Sequence, residues 1–245
     1  MADAMTTPAS NSYSSRWFEF FHEGISDERT NREVELVCSV APLPGFRKVL
    51  DVCCGMGRHA RALAARGYSV TGIERDPGAI ARARAAGGGP DYLQADVRDY
   101  RPDRSACDLA IVMSQSFGYF DAPGNRELLG RLATGARNGG RIILDLWNPE
   151  FFASHQGGRD LELAGGVVRE TKTVKDGRLF VRLDYPDNER DGFDWQSFAP
   201  SELRSLAESV GLTPVTACTG FDAAMKPNDA NPRIQCVLEK VGSRT

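Results

Sequence analysis

No apolar run in this 245-residue chain approaches the roughly 18 residues that a membrane-crossing helix needs. Residues 1–14 are rich in Ser, Thr and Ala but lack a basic start followed by an apolar core. They read as a disordered leader, not as a secretory signal or an anchor. Histidine is scarce: His22, His59 and His155 are the three present, and they lie far apart. No two of the six cysteines are spaced C-x-x-C, so no metal-ligand set is legible. Cys38, Cys53, Cys54, Cys107, Cys218 and Cys236 are scattered through apolar contexts, unlike a secreted disulfide framework. They read as buried free thiols in a reducing, cytoplasmic setting. A strong charge of either sign is also missing. Thirty basic residues stand against 33 acidic ones, a formal net charge of -3. That excludes a general nucleic-acid or membrane-surface binder, because phosphate binding is dominated by positive charge. The 41% hydrophobic and 26% charged content is enough to bury one sizeable core.

What is present is an alternation. Ser15 to Ala41 reads as two helical pieces, the first crowded with Trp17, Phe18, Phe20 and Phe21. Ser26 and Asp27 are placed to cap the second, in which Val34, Leu36, Val37 and Val40 give an apolar face. Val49–Cys53, Ser69–Ile73, Tyr92–Ala95, Asp108–Met113 and Arg141–Trp147 read as strands. Helical patterns run from Arg58 to Arg66, from Pro77 to Ala86 and from Asp121 to Arg137, the last stopped by Asn138-Gly139-Gly140. This order predicts a parallel sheet covered by helices on both faces. The style then changes. Val167–Val174 and Leu179–Tyr185 are β-rich and joined at Asp176-Gly177, a hairpin signal. A helix over Ser201–Val210, closed by Gly211, precedes the last two strands, Leu212–Thr219 and Arg233–Val241.

The most informative stretch is Lys48-Val49-Leu50-Asp51-Val52-Cys53-Cys54-Gly55-Met56-Gly57-Arg58-His59-Ala60. A buried strand carrying one carboxylate turns through two glycines into a helix N-terminus, which presents backbone N–H groups to a ligand. A Gly-x-Gly turn alone is weak evidence. Here Glu74 ends the second strand, where a carboxylate accepts from ribose hydroxyls, and Asp96 ends the third, on the same sheet edge. The turn also satisfies a G-x-G-x-x-A dinucleotide pattern. Asp51 inside the strand and the absence of a second β-α-β-α-β half argue against that ligand.

Together with Val70–Glu74, Gln94–Val97, Asp108–Val112 and Asn138–Asp145, the stretch Val49–Ala60 resembles the motifs of class I S-adenosylmethionine (SAM)-dependent methyltransferases. Ser116–Phe120 is similar to a segment of small-molecule members. The resemblance is strong over about residues 45 to 148 and weak beyond. It implies a doubly wound, seven-stranded, mainly parallel sheet of Rossmann-like methyltransferase type, with the last strand antiparallel. A single domain is expected over residues 15–245, with a helical lid over 15–42 and a β-hairpin insertion covering the substrate over 151–199. It also assigns roles. Asp51 and the turn residues Cys53, Cys54, Gly55 and Gly57 would face the methionine end of SAM, with His59 in the first helical turn. Glu74 would hold the ribose, and Asp96 with Val97 the adenine. Arg75 would stack on the adenine or lie in solvent, and Met113, Ser114 and Gln115 would line the cofactor. Cys53 stands where the family usually has glycine. The paired thiols read as packing, with a redox or nucleophilic role as the rival.

A SAM methyl group is attacked in line, so positioning and exclusion of water matter most. Segments expected over the strand ends supply the acceptor side. They are Trp17, Phe18, Phe21 and His22 from the lid, Tyr119 and Phe120 after strand four, and Trp147, Asn148, Phe151 and Phe152 after strand five. Tyr185 joins them from the hairpin. Tyr119, Asn148, Tyr185 and His22 are the catalytic candidates, Trp17 is counted with the cofactor, and no metal is expected. The reading is methyl transfer to nitrogen or oxygen of a small molecule, as in natural-product assembly, by a monomer or homodimer. Two alternatives stay open. One is a non-methylating enzyme that cyclises or cleaves SAM with release of methylthioadenosine. The other is a non-catalytic SAM-binding module.

Overall fold

The computed structural model describes residues 14–22 and 24–242, His22 in its backbone alone; the expected leader lies outside them apart from Ser14. Ser14 caps a short helix α1 (Ser15–Trp17) that runs on as a π-helical turn over Phe18–His22. Ser26 caps α2 (Asp27–Val40), its side chain accepting from Arg29 N at 3.2 Å. There follow β1 (Lys48–Val52), α3 (Arg58–Ala64), β2 (Ser69–Glu74), α4 (Pro77–Ala85) and β3 (Asp91–Gln94). Then come β4 (Cys107–Val112), α5 (Ala122–Gly135), β5 (Ala136–Trp147) and α6 (Pro149–Ser154). The chain ends with β6 (Gly157–Leu163), β7 (Gly166–Lys175), β8 (Arg178–Asp184), β9 (Arg190–Gln196), α7 (Pro200–Glu208), β10 (Leu212–Thr219) and β11 (Arg233–Lys240).

Seven strands form one sheet in the order β10-β11-β5-β4-β1-β2-β3, with β11 antiparallel to both neighbours. Alternation along the strands splits the core in two. Leu50, Val52, Ala110, Val112, Ile142 and Leu144 face α5 and α7. Val49, Leu109, Ile111, Ile143 and Val237 face α2 and α3. The same parity puts Asp51, Asp145, Arg233 and Gln235 on the α2–α3 side, at the edge where β1, β2, β3, β4 and β5 end. Those ends form the ligand-bearing edge of an open α/β sheet.

Two expectations need correction. The inserted hairpin is real, and Asp176 and Gly177 take the φ values of 50° and 72° that its turn requires. It is, however, the middle of a four-stranded antiparallel sheet, β6-β7-β8-β9. The outer strands read Gly-Gly-Arg-Asp-Leu-Glu-Leu and Arg-Asp-Gly-Phe-Asp-Trp-Gln, too polar to stand out. Nor does Asn138-Gly139-Gly140 stop a helix. α5 ends at Gly135, and the glycines form an irregularity inside β5, where the pairing with β4 shifts register. A Cβ on Gly140 would stand 2.8 Å from Arg137 O and 3.0 Å from Asp108 O, both main chain.

Gly140→Ala should therefore destabilise the fold by about 1–3 kcal/mol, because backbone atoms cannot step aside. Urea unfolding measures this; a neutral substitution would refute the close approach of the Arg137 and Asp108 carbonyls.

Candidate active site

The turn after β1 is held in left-handed backbone. Cys53, Gly55 and Gly57 have φ of 58°, 54° and 74°. Position 53, where the family usually has glycine, holds a cysteine in the left-handed region, which side chains with a Cβ rarely adopt. Gly55 N donates to Glu74 Oε2 at 3.1 Å, while Glu74 Oε1 accepts from Arg75 N at 2.8 Å and Asp76 N at 3.0 Å. Glu74 thus ties the turn to the end of β2. At Gly57 a Cβ would lie 2.2 Å from the Tyr92 hydroxyl, so this glycine serves close packing. Burial, with Glu74 and Asp51 nearby, pushes both the Cys53 and Cys54 thiols up, away from thiolate. This supports the packing reading over a nucleophile.

Beneath the turn lies a closed ring of buried polar groups. Glu33 of α2 has no exposed surface, and its Oε2 pairs with Arg58 Nη1 at 2.5 Å. Arg58 Nη2 donates to Ser114 Oγ at 2.9 Å, and Ser114 N donates to Asp145 Oδ2 at 2.9 Å. Asp145 accepts from Arg233 through two bonds, the Nε bond at 3.0 Å, and Arg233 Nη1 reaches Glu33 Oε1 at 3.5 Å. His59 Nε2 and Arg29 Nε also meet Glu33, at 2.7 and 3.1 Å. Burial alone would raise the Glu33 carboxyl. The His59 hydrogen bond and the charges of Arg58 and Arg233 instead hold it well below the usual carboxylate range. Burial pulls His59 down to about 4, so it is a neutral donor to Glu33. Ser114 and Gln115 have φ of 53° and 59°, a left-handed pair held by Asp145: Gln115 N donates to Asp145 O at 3.1 Å and its Nε2 to Oδ2 at 3.1 Å.

A cavity of ≈ 640 Å³ opens over this floor. Its wall includes Cys53, Cys54, Gly55, His59, Glu74, Arg75, Asp96, Val97, Met113, Ser114 and Gln115, with Trp17 and Tyr119 on the far side. Other candidates do not reach the wall. Asp51 is 1% exposed and accepts from Ala60 N under the turn; its Oδ2 has no partner. Gly57 is turned toward Tyr92. Asn148 is spent on structure: its Nδ2 donates to Asn228 O and Asn231 O, both at 2.7 Å, and its Oδ1 caps α6. Tyr185 is buried against Phe20 and donates to Asp191 Oδ2 at 2.8 Å. Phe152 is core, and Phe151 stacks on His155. The His22 side chain lies outside the described residues. Asp96 is present on the wall, but Arg98 Nε and Nη2 already bind its two oxygens at 3.0 and 2.6 Å.

The sequence reading missed Arg29, Arg58, Arg98, Glu170, Phe193 and Trp195 on this wall. Arg29 with Glu33 looks like an exposed i,i+4 pair until Glu33 is seen buried. The alternation Asp-Phe-Asp-Trp in β9 was the one available signal for Phe193 and Trp195.

This geometry can be set beside known proteins. Residues 49–140 match the family described as Methyltransferase domain. The trans-aconitate 2-methyltransferase of Escherichia coli O139:H28 is 35% identical over 103 residues, 40% of this chain and 39% of that protein. The chain thus spans about two fifths of that relative's length. An S-adenosylmethionine-dependent methyltransferase from Clostridium acetobutylicum superposes with a TM-score of 0.77 at 13% identity, covering 93% of this chain and 97% of that one. The sugar N-methyltransferase KedS8 from Streptoalloteichus gives 0.73 at 20% identity, with 99% of both chains covered. These similarities establish the fold, including the antiparallel end of the large sheet.

Burial pushes the Asp51 carboxyl up to about 7, against the pull of Arg58. A folded-state value above the unfolded one means the folded protein holds a proton that the unfolded chain has lost. Stability from this group is full below pH ~4 and falls as pH rises toward 7. Asp51→Asn should therefore gain on the parent between pH 4 and 7, on the order of 2–4 kcal/mol. Urea unfolding across that range tests it, and a pH-independent difference would refute the buried-acid account.

Proposed function

We propose that this chain, whose residues 49–140 match the Methyltransferase domain family, is a class I SAM-dependent methyltransferase that transfers the SAM methyl group to a small molecule. The observation that carries the reading is a single wall. The glycine turn, Glu74, the Asp96–Val97 segment and the Met113–Gln115 strand end all line the same cavity. The donor set fits. Glu74 Oε2, with its single main-chain bond to Gly55 N, keeps a lone pair for a ribose hydroxyl, while Oε1 is filled by Arg75 N and Asp76 N. The Val97 N–H serves the adenine edge, and Asp96 joins it by exchanging one of its bonds to the exposed Arg98 for the adenine amino group. Arg58, with Arg29, carries positive charge to the turn end of the cavity, where a methionine carboxylate needs it. When bound, SAM supplies an electrophilic methyl: the acceptor lone pair forms the new bond to carbon, the carbon–sulfur pair stays on sulfur, and S-adenosylhomocysteine leaves.

The acceptor half is roofed by residues 15–42 and by the 151–199 insertion, which we take as covers of one domain over residues 15–245. Tyr119 lies there against Trp195, with ring centroids 5.1 Å apart. Its rings exclude water from the sulfonium and favour a cation by about 1–2 kcal/mol. A cavity of ≈ 640 Å³ suits a small acceptor, and the similar trans-aconitate and sugar methyltransferases are named for small acceptors of their own.

Mass spectrometry of SAM products with and without a cell extract is the test. Acceptor-dependent S-adenosylhomocysteine is expected; methylthioadenosine from SAM alone would overturn the reading. Glu74→Ala should weaken SAM binding about 10–100-fold by calorimetry, the loss expected for hydrogen bonds to a charged group.

A further inference from the structure

The two halves of the cavity differ in charge. Helix α2, the turn with the start of α3, and the ends of β2 and β3 bring Arg29, Arg58, Glu74, Arg75, Asp96 and Arg98 to the wall. The other half is walled by rings and aliphatic side chains, among them Tyr119, Trp147, Phe193 and Trp195. Among the described residues, Glu170 is the one carboxylate on that half, and no Lys, Arg or His side chain joins it on the wall there.

Glu170 is placed there by strand parity. Val168, Glu170 and Lys172 alternate on the buried face of β7, the face that packs on the aromatic cluster. Glu170 is 8% exposed. Its Oε1 meets Lys172 Nζ at 2.7 Å and its Oε2 accepts from Arg159 Nε at 2.5 Å. Lys172 is not on the wall. Its ammonium sits behind, 5.2 Å from the Trp147 ring centroid and 5.4 Å from that of Phe152. Arg159 is 65% exposed, so water screens most of its charge. From inside the cavity, the group presented is a carboxylate edge in a ring-lined wall. Each oxygen uses one lone pair on its cation and retains another.

A carboxylate among aromatic faces is complementary to an ammonium, through a charge-assisted hydrogen bond and cation–π attraction. Lys172 already shows an ammonium seated between this carboxylate and these rings. An anionic acceptor would meet the carboxylate edge at closer range than the Lys172 ammonium behind it, and an alcohol would gain a hydrogen bond to the carboxylate without the attraction between opposite charges. Resting on the reading of this cavity as a SAM and acceptor site, we propose that Glu170 sets acceptor specificity and that the acceptor is an amine. The amine docks as ammonium against Glu170, gives one proton to water, and attacks as the free base. Its lone pair forms the nitrogen–carbon bond, the carbon–sulfur pair stays on sulfur, and the methylated ammonium leaves.

The test is calorimetric binding of three matched probes, 2-phenylethylamine, 2-phenylethanol and phenylacetate, with saturating S-adenosylhomocysteine and again without it. The amine should bind at least about 10-fold tighter than the alcohol, with phenylacetate weakest. Glu170→Gln should bring amine and alcohol within about twofold while leaving S-adenosylhomocysteine affinity unchanged. Because that variant strands Lys172, the double variant Glu170→Gln with Lys172→Met is measured beside it, both checked for fold by circular dichroism. Equal or tighter binding of alcohol or carboxylate, a preference that survives in a folded variant, or no binding by any probe overturns the proposal. Failure of S-adenosylhomocysteine to bind would strike the methyl-transfer reading instead, and the cofactor-free titration would still report on Glu170.

Discussion

The closed ring Glu33–Arg58–Ser114–Asp145–Arg233 is the constraint on which the site depends. Removing charges from water costs several kcal/mol per ion even after relaxation, and the cost is offset only when each charge is fully paired. Glu33 and Asp145 have no exposed surface. Neither is tolerable unless α2, α3, β4, β5 and β11 are all in place. The ring therefore makes the docking of α2, the entry angle of α3 and the end of β4 one cooperative arrangement. It also fixes the left-handed pair Ser114–Gln115, a backbone state costing about 1–2 kcal/mol per residue for side chains with a Cβ. That cost sits on the cavity wall, where the strand end must turn away to leave room for a ligand.

Asp51 belongs to the same side of the sheet but stands apart from the ring. One oxygen takes Ala60 N and the other has no partner. With Arg58 committed to Glu33 and Ser114, too little positive charge reaches Asp51 to keep it ionised against burial. The carboxylate that distinguished this turn from a dinucleotide turn thus acts on the turn's shape from below, while Glu74 and the main chain face the ligand.

What could be read in the sequence was what is local in it. The turn, Glu74 and Asp96 each end a strand and announce themselves within a few residues. The alternation of elements gave the sheet, and Asp176-Gly177 gave the inner hairpin. Glu33 and Arg233 are 200 positions apart, and nothing near either marks it as a partner of the other. Asn148 and Tyr185 carry polar atoms near the expected site. Those atoms are consumed by the 228–231 loop and by Asp191, because a buried polar group at an element end must find a partner and usually finds the backbone. Gly139 and Gly140 were read as a helix stop since both a C-cap and a strand irregularity call for glycine; only pairing partners distinguish them.

The lid is part of the insertion more than of the large sheet. Phe20 packs in the same cluster as Val168, Leu183, Phe193 and Trp195, and a Cβ on Gly165 would come within 2.8 Å of its ring. Ser14 donates to Asp191 at 2.6 Å, on the same oxygen that accepts from Tyr185. Arg16 pairs with Asp187 on the same side. The N-terminal helix and the four-stranded sheet thus share a core and a hydrogen-bond anchor, and together wall the aromatic end of the cavity. The charged end is built from strand ends whose geometry the ring fixes. The two ends therefore rest on different constraints, side-chain packing at one and paired buried charge at the other.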